Sequence, residues 1–217
     1  MKGIKRIAQI ALMTLLAVLL GACSLPATGR PANIYLLSPS PSLRDKPAVS
    51  EKTGRATLLI NLPRAQAGFD TPRMVYLLRP HEVNYYAKNQ WADTPSRMLA
   101  PLLVEAMEMT GCWHAVVQMP AAVQGDYRLD TEIVQLQHEF FSSPSRMRLT
   151  LRVQLVELAG QSVIAAQLFE IVEDAPGEDA YGGVTAANRA LGKLLSQVAE
   201  WVNDQIGSRG PGAGGGC

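Results

Sequence analysis

The residues with the clearest chemical use lie near the amino terminus, at Leu20-Gly21-Ala22-Cys23. A branched aliphatic residue stands three positions before the cysteine, with two small residues between them, so a peptidase groove can reach the bond ahead of the thiol. Positive charges in residues 1–6 and an apolar run over 7–20 precede this motif, in the order of a secretory signal. The run is too short for a transmembrane helix, which needs roughly 20 apolar residues. The pattern predicts cleavage after residue 22.

This motif resembles a lipobox, in which the cysteine carries acyl chains. One chain binds a membrane reversibly and two or more hold a protein essentially permanently, because each buried methylene contributes about 0.8 kcal/mol. Ser24 follows Cys23, whereas the lipoproteins that this one resembles and that stay in the inner membrane have Asp there. We therefore predict lipidation of Cys23 and anchoring in the outer membrane, facing the periplasm.

The three histidines, His81, His114 and His138, could serve as general bases or metal ligands. They lie far apart, and the chain has no H-E-x-x-H motif and no paired C-x-x-C motif. It also has no G-x-S-x-G elbow, no S-x-x-K motif and no glycine-rich loop of the kind that holds phosphate. The sequence predicts no catalytic residue, no metal and no cofactor.

Two carboxylates, Asp130 and Glu132, lie two positions apart on the polar face of a predicted strand, where a hydrolase could use them. Arg146, Arg148 and Arg152 occupy the like face of the neighbouring strand. Because opposite charges across a strand pair attract, we interpret these residues as cross-strand ion pairs. The arginine row could also meet an acidic partner surface.

Charge and length limit the class of protein. Loss of residues 1–22 removes three basic side chains, which leaves 17 basic and 19 acidic ones and changes the formal charge from +1 to −2. A nucleic-acid-binding protein needs a basic surface, so this class is excluded. About 195 residues remain, which is enough for one domain with a real core.

We divide the mature chain into a proline-rich lipidated tether at 23–55, one domain at 56–206 and a glycine-rich coil at 207–217. Within the tether, the apolar residues 34–37 could form an edge strand laid on the domain. The domain is predicted to be α/β, of the α+β type. We expect an antiparallel or mixed sheet with two main amphipathic helices packed on one face.

Hydrophobic periodicity places the elements of this domain. Strands are predicted at 56–62, 74–78, 82–87, 113–119, 127–141, 146–158 and 162–172, and helices at 94–111 and 185–206. The strand at 146–158 alternates strictly between apolar and polar side chains. The strand at 127–141 changes phase near Ile133-Val134, where an extra residue would account for the shift, so we predict a bulge there.

The cysteines are too few for a disulfide framework. With Cys23 acylated, Cys112 and Cys217 could pair in an oxidising compartment. We instead expect a buried free thiol at Cys112, because unpaired cysteine is among the most buried residue types.

An aromatic segment runs from Tyr85 to Trp91, just before the first helix. Tyrosine and tryptophan in a polar run are enriched at interfaces, so this segment is a candidate partner-binding site. The alternative is that Trp91 simply packs on the first helix. The complete candidate set is Tyr85, Tyr86, Asn89, Trp91, Asp93, Arg148 and Arg152.

These features together resemble the ABC-type transport auxiliary lipoproteins, the PqiC and YmbA family. The resemblance rests on the lipobox, Tyr35-Leu36-Leu37, Arg73-Met74-Val75-Tyr76, and Tyr86 followed by Asn89-Gln90-Trp91-Ala92-Asp93 ahead of an amphipathic helix. It covers nearly the whole mature domain. It implies a non-enzymatic partner of an ABC transporter with an MCE-domain subunit that moves lipid between the two membranes, and a sheet with two main helices.

The chain departs from that family in Cys112, in the arginine-rich strand and in the glycine tail ending at Cys217. Contacts within a homo-oligomer are therefore not carried over. Two other classes of function stay open: a stand-alone periplasmic lipid- or glycan-binding lipoprotein, and an envelope hydrolase that would depend on one of the histidines.

Overall fold

The computed structural model describes residues 31–38 and 54–207, together with the single residue Gly3. The predicted signal, Cys23, most of the tether and residues 208–217 lie outside the described residues. The described part forms nine strands and two helices. They are β1 (Asn33–Tyr35), β2 (Thr57–Ile60), β3 (Arg64–Ala65), β4 (Arg73–Leu77), β5 (Asn84–Trp91), α1 (Pro95–Glu108), β6 (Ala115–Gln118), β7 (Tyr127–Glu139), β8 (Arg146–Glu157), β9 (Ser162–Asp174) and α2 (Ala180–Gly207).

Strand β7 is the central strand of one mixed sheet. One of its edges pairs antiparallel with β8, which in turn pairs antiparallel with β9. Its other edge pairs in parallel with β2, β3 and β4 in succession. Beyond these, β6 joins β2, β5 joins β4, and β1 joins β5. Among the described strands, β9 therefore forms one edge of the sheet, and β1 and β6 lie on the other side.

The long hairpin confirms the predicted bulge. The pairing of β7 with β8 shifts register between Ile133 and Gln135. The alternation predicted for β8 is also confirmed, because the apolar side chains of its alternating phase are at most 3% exposed; they are Met147, Leu149, Leu151, Val153 and Leu155. One phase of β8 therefore builds the core, and the other phase faces away from it.

Both helices pack on the core face of the sheet. Helix α2 lies on β8 and β9, and α1 contacts β6 and α2. Their buried stripes join the strands in one hydrophobic cluster, to which α2 contributes Leu191, Leu194, Leu195, Val198 and Val202. The predicted fold class, a mixed sheet with two main helices on one face, is confirmed. No helix in the described part of the chain is long and apolar enough to cross a membrane.

Several boundaries differ from the sequence prediction, and one short strand was not predicted. Helix α2 begins at Ala180, five residues before the predicted start, because the Asp179 side chain caps it by accepting a hydrogen bond from the Gly182 amide at 2.7 Å. Strand β5 continues to Trp91 because β1 pairs with its last three residues, and β3 is too short to leave a sequence pattern. The apolar interruption of the tether does form an edge strand, β1.

Cys112 corrects another expectation. It is disulfide-bonded, so the prediction of a free buried thiol is wrong. The residue lies just after α1 and is only half-buried, so its sulfur is not sealed in the core. The other two cysteines, Cys23 and Cys217, lie outside the described residues.

Candidate functional site

One face of the sheet, which we call the polar face, is turned away from both helices. Successive pairings place Tyr85, Val75, Gln137, Arg148 and Val172 in a single row across β5, β4, β7, β8 and β9. Residues paired across neighbouring strands share a face of the sheet. Of the predicted partner-binding residues, Tyr85, Arg148 and Arg152 therefore lie together on the polar face.

The arginines of the polar face are held by carboxylates. Arg148 donates to Glu139 at 2.7 and 3.2 Å and to Glu170 at 2.7 Å. Arg152 pairs with Glu132 directly across the β7–β8 ladder, as predicted. Asp130 instead pairs with Arg128 on its own strand, at 2.8 Å.

Glu139 is the most deeply buried of these carboxylates, at 3% exposed. Burial alone would raise its pKa. Hydrogen bonds from Arg148 and Gln137, together with the charges of Arg148 and Arg146, outweigh this effect and hold the pKa of Glu139 below its usual value. The hydrogen bonds to Glu139 in turn raise the pKa of Arg148. Both groups are therefore charged in the folded protein.

At the other end of the row, the Arg73 guanidinium stacks on the Tyr85 ring, 3.6 Å from its centroid. The Tyr85 hydroxyl donates to the Gly68 carbonyl at 3.4 Å, which connects β5 to the loop between β3 and β4. Near the β9 edge, by contrast, Arg152 and its cross-strand neighbour Leu168 are each about half exposed. The accessible part of the polar face is thus its β8–β9 side.

The remaining candidates do not join this face. Trp91 is 2% exposed and belongs to the core, so a surface contact through this side chain does not fit its burial. Asn89 accepts hydrogen bonds from Asn33 at 3.0 Å and from the Tyr35 hydroxyl at 3.2 Å, which fastens β1 to β5. Asp93 accepts from the Thr94 amide at 2.7 Å, ahead of α1.

Tyr86 lies on the helix side of the sheet, in a polar chain that the sequence did not reveal and that is buried at His138 and Ser145 but ends at the exposed Glu178. Its hydroxyl lies 3.0 Å from His138 Nδ1, and His138 Nε2 lies 2.8 Å from the Ser145 hydroxyl. The Ser145 amide donates to Glu178 at 2.9 Å, and the Ser145 side chain also hydrogen bonds to that carboxylate. The chain joins β5, β7, the β7–β8 turn and the loop before α2.

Two pKa shifts determine the protonation states of Tyr86 and His138 in this hydrogen-bonded chain. Burial raises the pKa of Tyr86, and Tyr76, Asp179 and Glu178 raise it further. Burial lowers the pKa of His138, against the opposing effect of Glu178 and Asp179. At neutral pH Tyr86 is therefore protonated and His138 is neutral. The hydrogen bond from the Ser145 side chain to Glu178 then assigns the tautomer, because an ionised carboxylate can only accept. Tyr86 donates to Nδ1, the Nε2 proton goes to Ser145, and Ser145 donates to Glu178.

A serine beside a histidine can be a nucleophile, but this pair is sealed. His138 and Ser145 are both 0% exposed, so a substrate cannot reach the hydroxyl in this conformation. The other two histidines are elsewhere: His81 lies in the β4–β5 turn, and His114 precedes β6. Among residues 31–38 and 54–207, no three His, Cys, Asp or Glu side chains are grouped to hold a metal ion.

Comparison with known proteins identifies the family. A family model described as the ABC-type transport auxiliary lipoprotein component matches residues 35–199. The chain belongs to this family. The resemblance drawn from the lipobox and the tyrosine-to-tryptophan segment is confirmed, and the chain is an auxiliary lipoprotein of ABC-type transport.

Individual relatives of this auxiliary lipoprotein are distant. An uncharacterized protein of Bradyrhizobium diazoefficiens, bll6063, is 24% identical over 151 residues, and the match spans 70% of this chain but only 40% of that protein. The crystal structure of XCC0632 from Xanthomonas campestris superposes with a TM-score of 0.72 at 23% identity, covering 82% of this chain and 98% of that one. A second solved structure, of an uncharacterized protein, gives 0.62 at 11% identity, covering 79% and 99%. These two structures show the fold.

The described part of the auxiliary lipoprotein has two surface grooves large enough for a small ligand. One, of about 650 Å³, lies between the loop before β2 and the β8–β9 turn, and the other, of about 570 Å³, lies beside β3. Both are open to solvent, and both have charged side chains on their walls: Arg55, Asp126 and Glu157 in the first, and Arg64, Arg128 and Asp130 in the second. A small-molecule site usually encloses most of its ligand, which grooves this open to solvent do not do.

Proposed function

We propose that this auxiliary lipoprotein is a non-enzymatic adaptor of an ABC transport system that carries an MCE-domain subunit. Acyl chains on Cys23 hold it in the outer membrane, and its domain docks on the periplasmic subunit of the transporter. The family match over residues 35–199 is the observation that carries the proposal. The secretory signal and the lipobox at the amino terminus support the part of the proposal that places the domain in the periplasm.

The docking surface that we propose is the β8–β9 side of the polar face. Arginine and tyrosine are the residue types that dominate binding energy at interfaces, especially beside an apolar anchor. Arg152 and Leu168 stand side by side there and are half exposed. Arg152 is already ion-paired to Glu132, so little side-chain entropy is lost when a partner binds.

The charge of this surface indicates the chemistry of the partner. Arg148 and Arg152 are balanced by Glu132, Glu139 and Glu170, so the surface has no single sign. A partner surface that combines an apolar patch with polar hydrogen-bonding groups fits it better than a strongly acidic one. An acidic partner, which the arginine row alone suggested, therefore fits this mixed charge less well.

Co-purification tests this function. The full-length protein would be extracted with detergent under conditions that keep the transporter intact, and the MCE-domain subunit would be quantified in the eluate. We expect the subunit to co-elute, and we expect Arg152→Glu to reduce its recovery roughly tenfold, the effect of losing an interface hot spot. Arg97→Glu is the matched control, because Arg97 is an exposed arginine on α1, on the opposite side of the sheet.

Recovery of the lipoprotein alone, beside an intact transporter, would reject the adaptor role. It would favour a stand-alone lipid- or glycan-binding lipoprotein instead. Equal loss of the subunit with Arg152→Glu and Arg97→Glu would keep the adaptor but reject the polar face as its docking surface.

A further inference from the structure

The three most exposed large apolar side chains of the described residues lie around the β1 edge of the sheet. Tyr181 is 64% exposed, Ile34 63% and Leu36 61%, more than any other large apolar side chain in this part of the chain. Tyr181 is on the first turn of α2, and its ring lies 6.2 Å from that of Tyr35 in β1. Ile34 and Leu36 flank Tyr35 in the chain, so they project from the opposite face of the edge strand. We call Ile34, Leu36 and Tyr181 together the tether patch; it covers both faces of the β1 edge, where the tether joins the domain.

The tether patch is held firmly in place. Strand β1 forms a parallel ladder with the end of β5, and the Ala92 amide donates to the Tyr35 carbonyl at 2.7 Å. Beyond the strand, Asn188 of α2 donates to the Leu36 carbonyl at 3.2 Å and accepts from the Ser38 amide at 2.7 Å. Because the backbone is fixed on both sides, Ile34 and Leu36 are displayed by the fold rather than by a loose segment.

We propose that the tether patch rests on the lipid bilayer that holds the acyl chains of Cys23. The proposal rests on the lipidation included in the proposed function. Ten residue steps separate Cys23 from Asn33, and a fully extended chain spans at most about 3.3–3.6 Å per residue. The start of β1 therefore stays within roughly 35 Å of the anchored cysteine.

The chemistry of the patch fits a bilayer interface. Residues 33–38 carry no charge, and the side chains that hydrogen bond to them are the neutral amides of Asn89 and Asn188. Burial of residues 33–38 among lipid headgroups would therefore desolvate no ion, and the exposed carboxylates of Glu178 and Asp179, just before Tyr181, would stay in water at the rim of the contact. Tyrosine is enriched at the level of the headgroups, and isoleucine and leucine gain from partial burial in the acyl region.

Contact of the tether patch with the bilayer would orient the sheet of the domain relative to the membrane. The tether patch lies at the β1 edge, and Arg152 and Leu168 lie at the β9 edge of the same sheet. Five strand spacings of about 4.8 Å separate β1 from β9, or roughly 24 Å. With β1 toward the outer membrane, the β9 edge and the proposed docking surface point into the periplasm.

Photocrosslinking of the full-length lipidated protein in vesicles of pure phosphatidylcholine tests the inference. p-Benzoylphenylalanine would replace Leu36, Tyr181 or, as the matched control, Leu168, which is 54% exposed at the opposite edge. Lipid adducts would be measured by mass spectrometry. We expect at least about tenfold more adduct at 36 and 181 than at 168, because contact with the bilayer depends on apolar burial.

Each alternative result has a distinct meaning. Acylated Cys23 with equal or negligible adduct at all three positions overturns the bilayer contact and leaves the adaptor role intact. A crosslink from position 36 to a second copy of the chain also overturns it, in favour of a protein interface at the β1 edge. Absence of acylation on Cys23 overturns the anchoring in the proposed function, and this inference with it.

Discussion

His138 shows how a residue suited to catalysis can serve structure instead. Its ring bridges Tyr86 and Ser145 in the core, and the chain of hydrogen bonds ends on Glu178. Every member has a donor or acceptor role that matches its partner, which is the condition under which a buried polar network adds rigidity. Protonation of the imidazole would break this match, because Nδ1 could no longer accept from Tyr86.

The hydrogen-bonded chain through His138 predicts that the free energy of unfolding depends on pH. The folded pKa of His138 lies below the ordinary value of 6.5, so the unfolded chain binds the proton more readily. Stability is then complete above about pH 6.5 and falls as the pH drops toward the folded pKa, by at most about 1.4 kcal/mol per pH unit for this one proton. Urea denaturation between pH 7.5 and 5.5 should show the decline, and His138→Gln should flatten it.

The control for this prediction is His81→Asn. His81 is exposed and has a positive φ of 67°, a conformation that asparagine tolerates. This variant should keep the wild-type slope. A slope that persists in His138→Gln would show that other groups cause it.

The two arginines of the polar face should differ in their contribution to stability. Arg148 neutralises Glu139, whose side chain is 4% exposed, whereas Arg152 pairs with the more accessible Glu132. Arg148→Met leaves a buried carboxylate without its cation and should lower the free energy of unfolding by about 2–4 kcal/mol. Arg152→Met should cost less than about 1 kcal/mol. Urea denaturation at pH 7 measures both, and equal losses would contradict this ranking.

At the scale of elements, the first turn of α2 is built around a close approach to β7. A Cβ atom added at Gly183 would lie 2.6 Å from His138 Nδ1, so the helix can cross the strand there only with glycine. The cost is a weaker first turn, since glycine is about 1 kcal/mol less favourable than alanine in a helix. Asp179 offsets part of that cost by capping the helix.

Gly183→Ala should therefore destabilise the protein despite its better helix propensity. The buried ring of His138 is held by two hydrogen bonds and has little room to move, so we expect a net loss of about 1–3 kcal/mol in urea denaturation. Gly207→Ala, at the end of the same helix with no atom within 4 Å of the added Cβ, is the control. It should change stability by less than about 0.5 kcal/mol. A stabilised Gly183→Ala would mean that the helix can shift away from β7.

At the scale of the whole molecule, the cysteines can test the anchor independently. Cys112 is disulfide-bonded, and if Cys23 carries lipid, its sulfur is blocked. We therefore expect Cys217 to be the partner of Cys112. Peptide mapping of the membrane-extracted protein under non-reducing conditions should show a Cys112–Cys217 link and an acylated Cys23 peptide. A Cys112–Cys23 link would contradict lipidation at Cys23.

The sequence by itself determined the local architecture. Strict alternation identified β8, the change of phase located the bulge at Ile133-Val134, and the apolar stripes identified both helices. Each of these signals arises from the periodic direction of side chains along a single helix or strand. It can therefore be read from a short stretch of sequence. The lipobox and the family resemblance are equally local, because they depend on short motifs rather than on contacts.

Only the tertiary structure decided which residues share a surface. Tyr85 and Tyr86 are adjacent in the chain, yet one stacks with Arg73 on the polar face and the other hydrogen bonds to His138 in the core. Tyr85 instead shares a row with Arg148, which lies three strand pairings away on β8. The physical reason is that β7 pairs in parallel with three strands from earlier in the chain, and such long-range register leaves no periodic trace in any single segment.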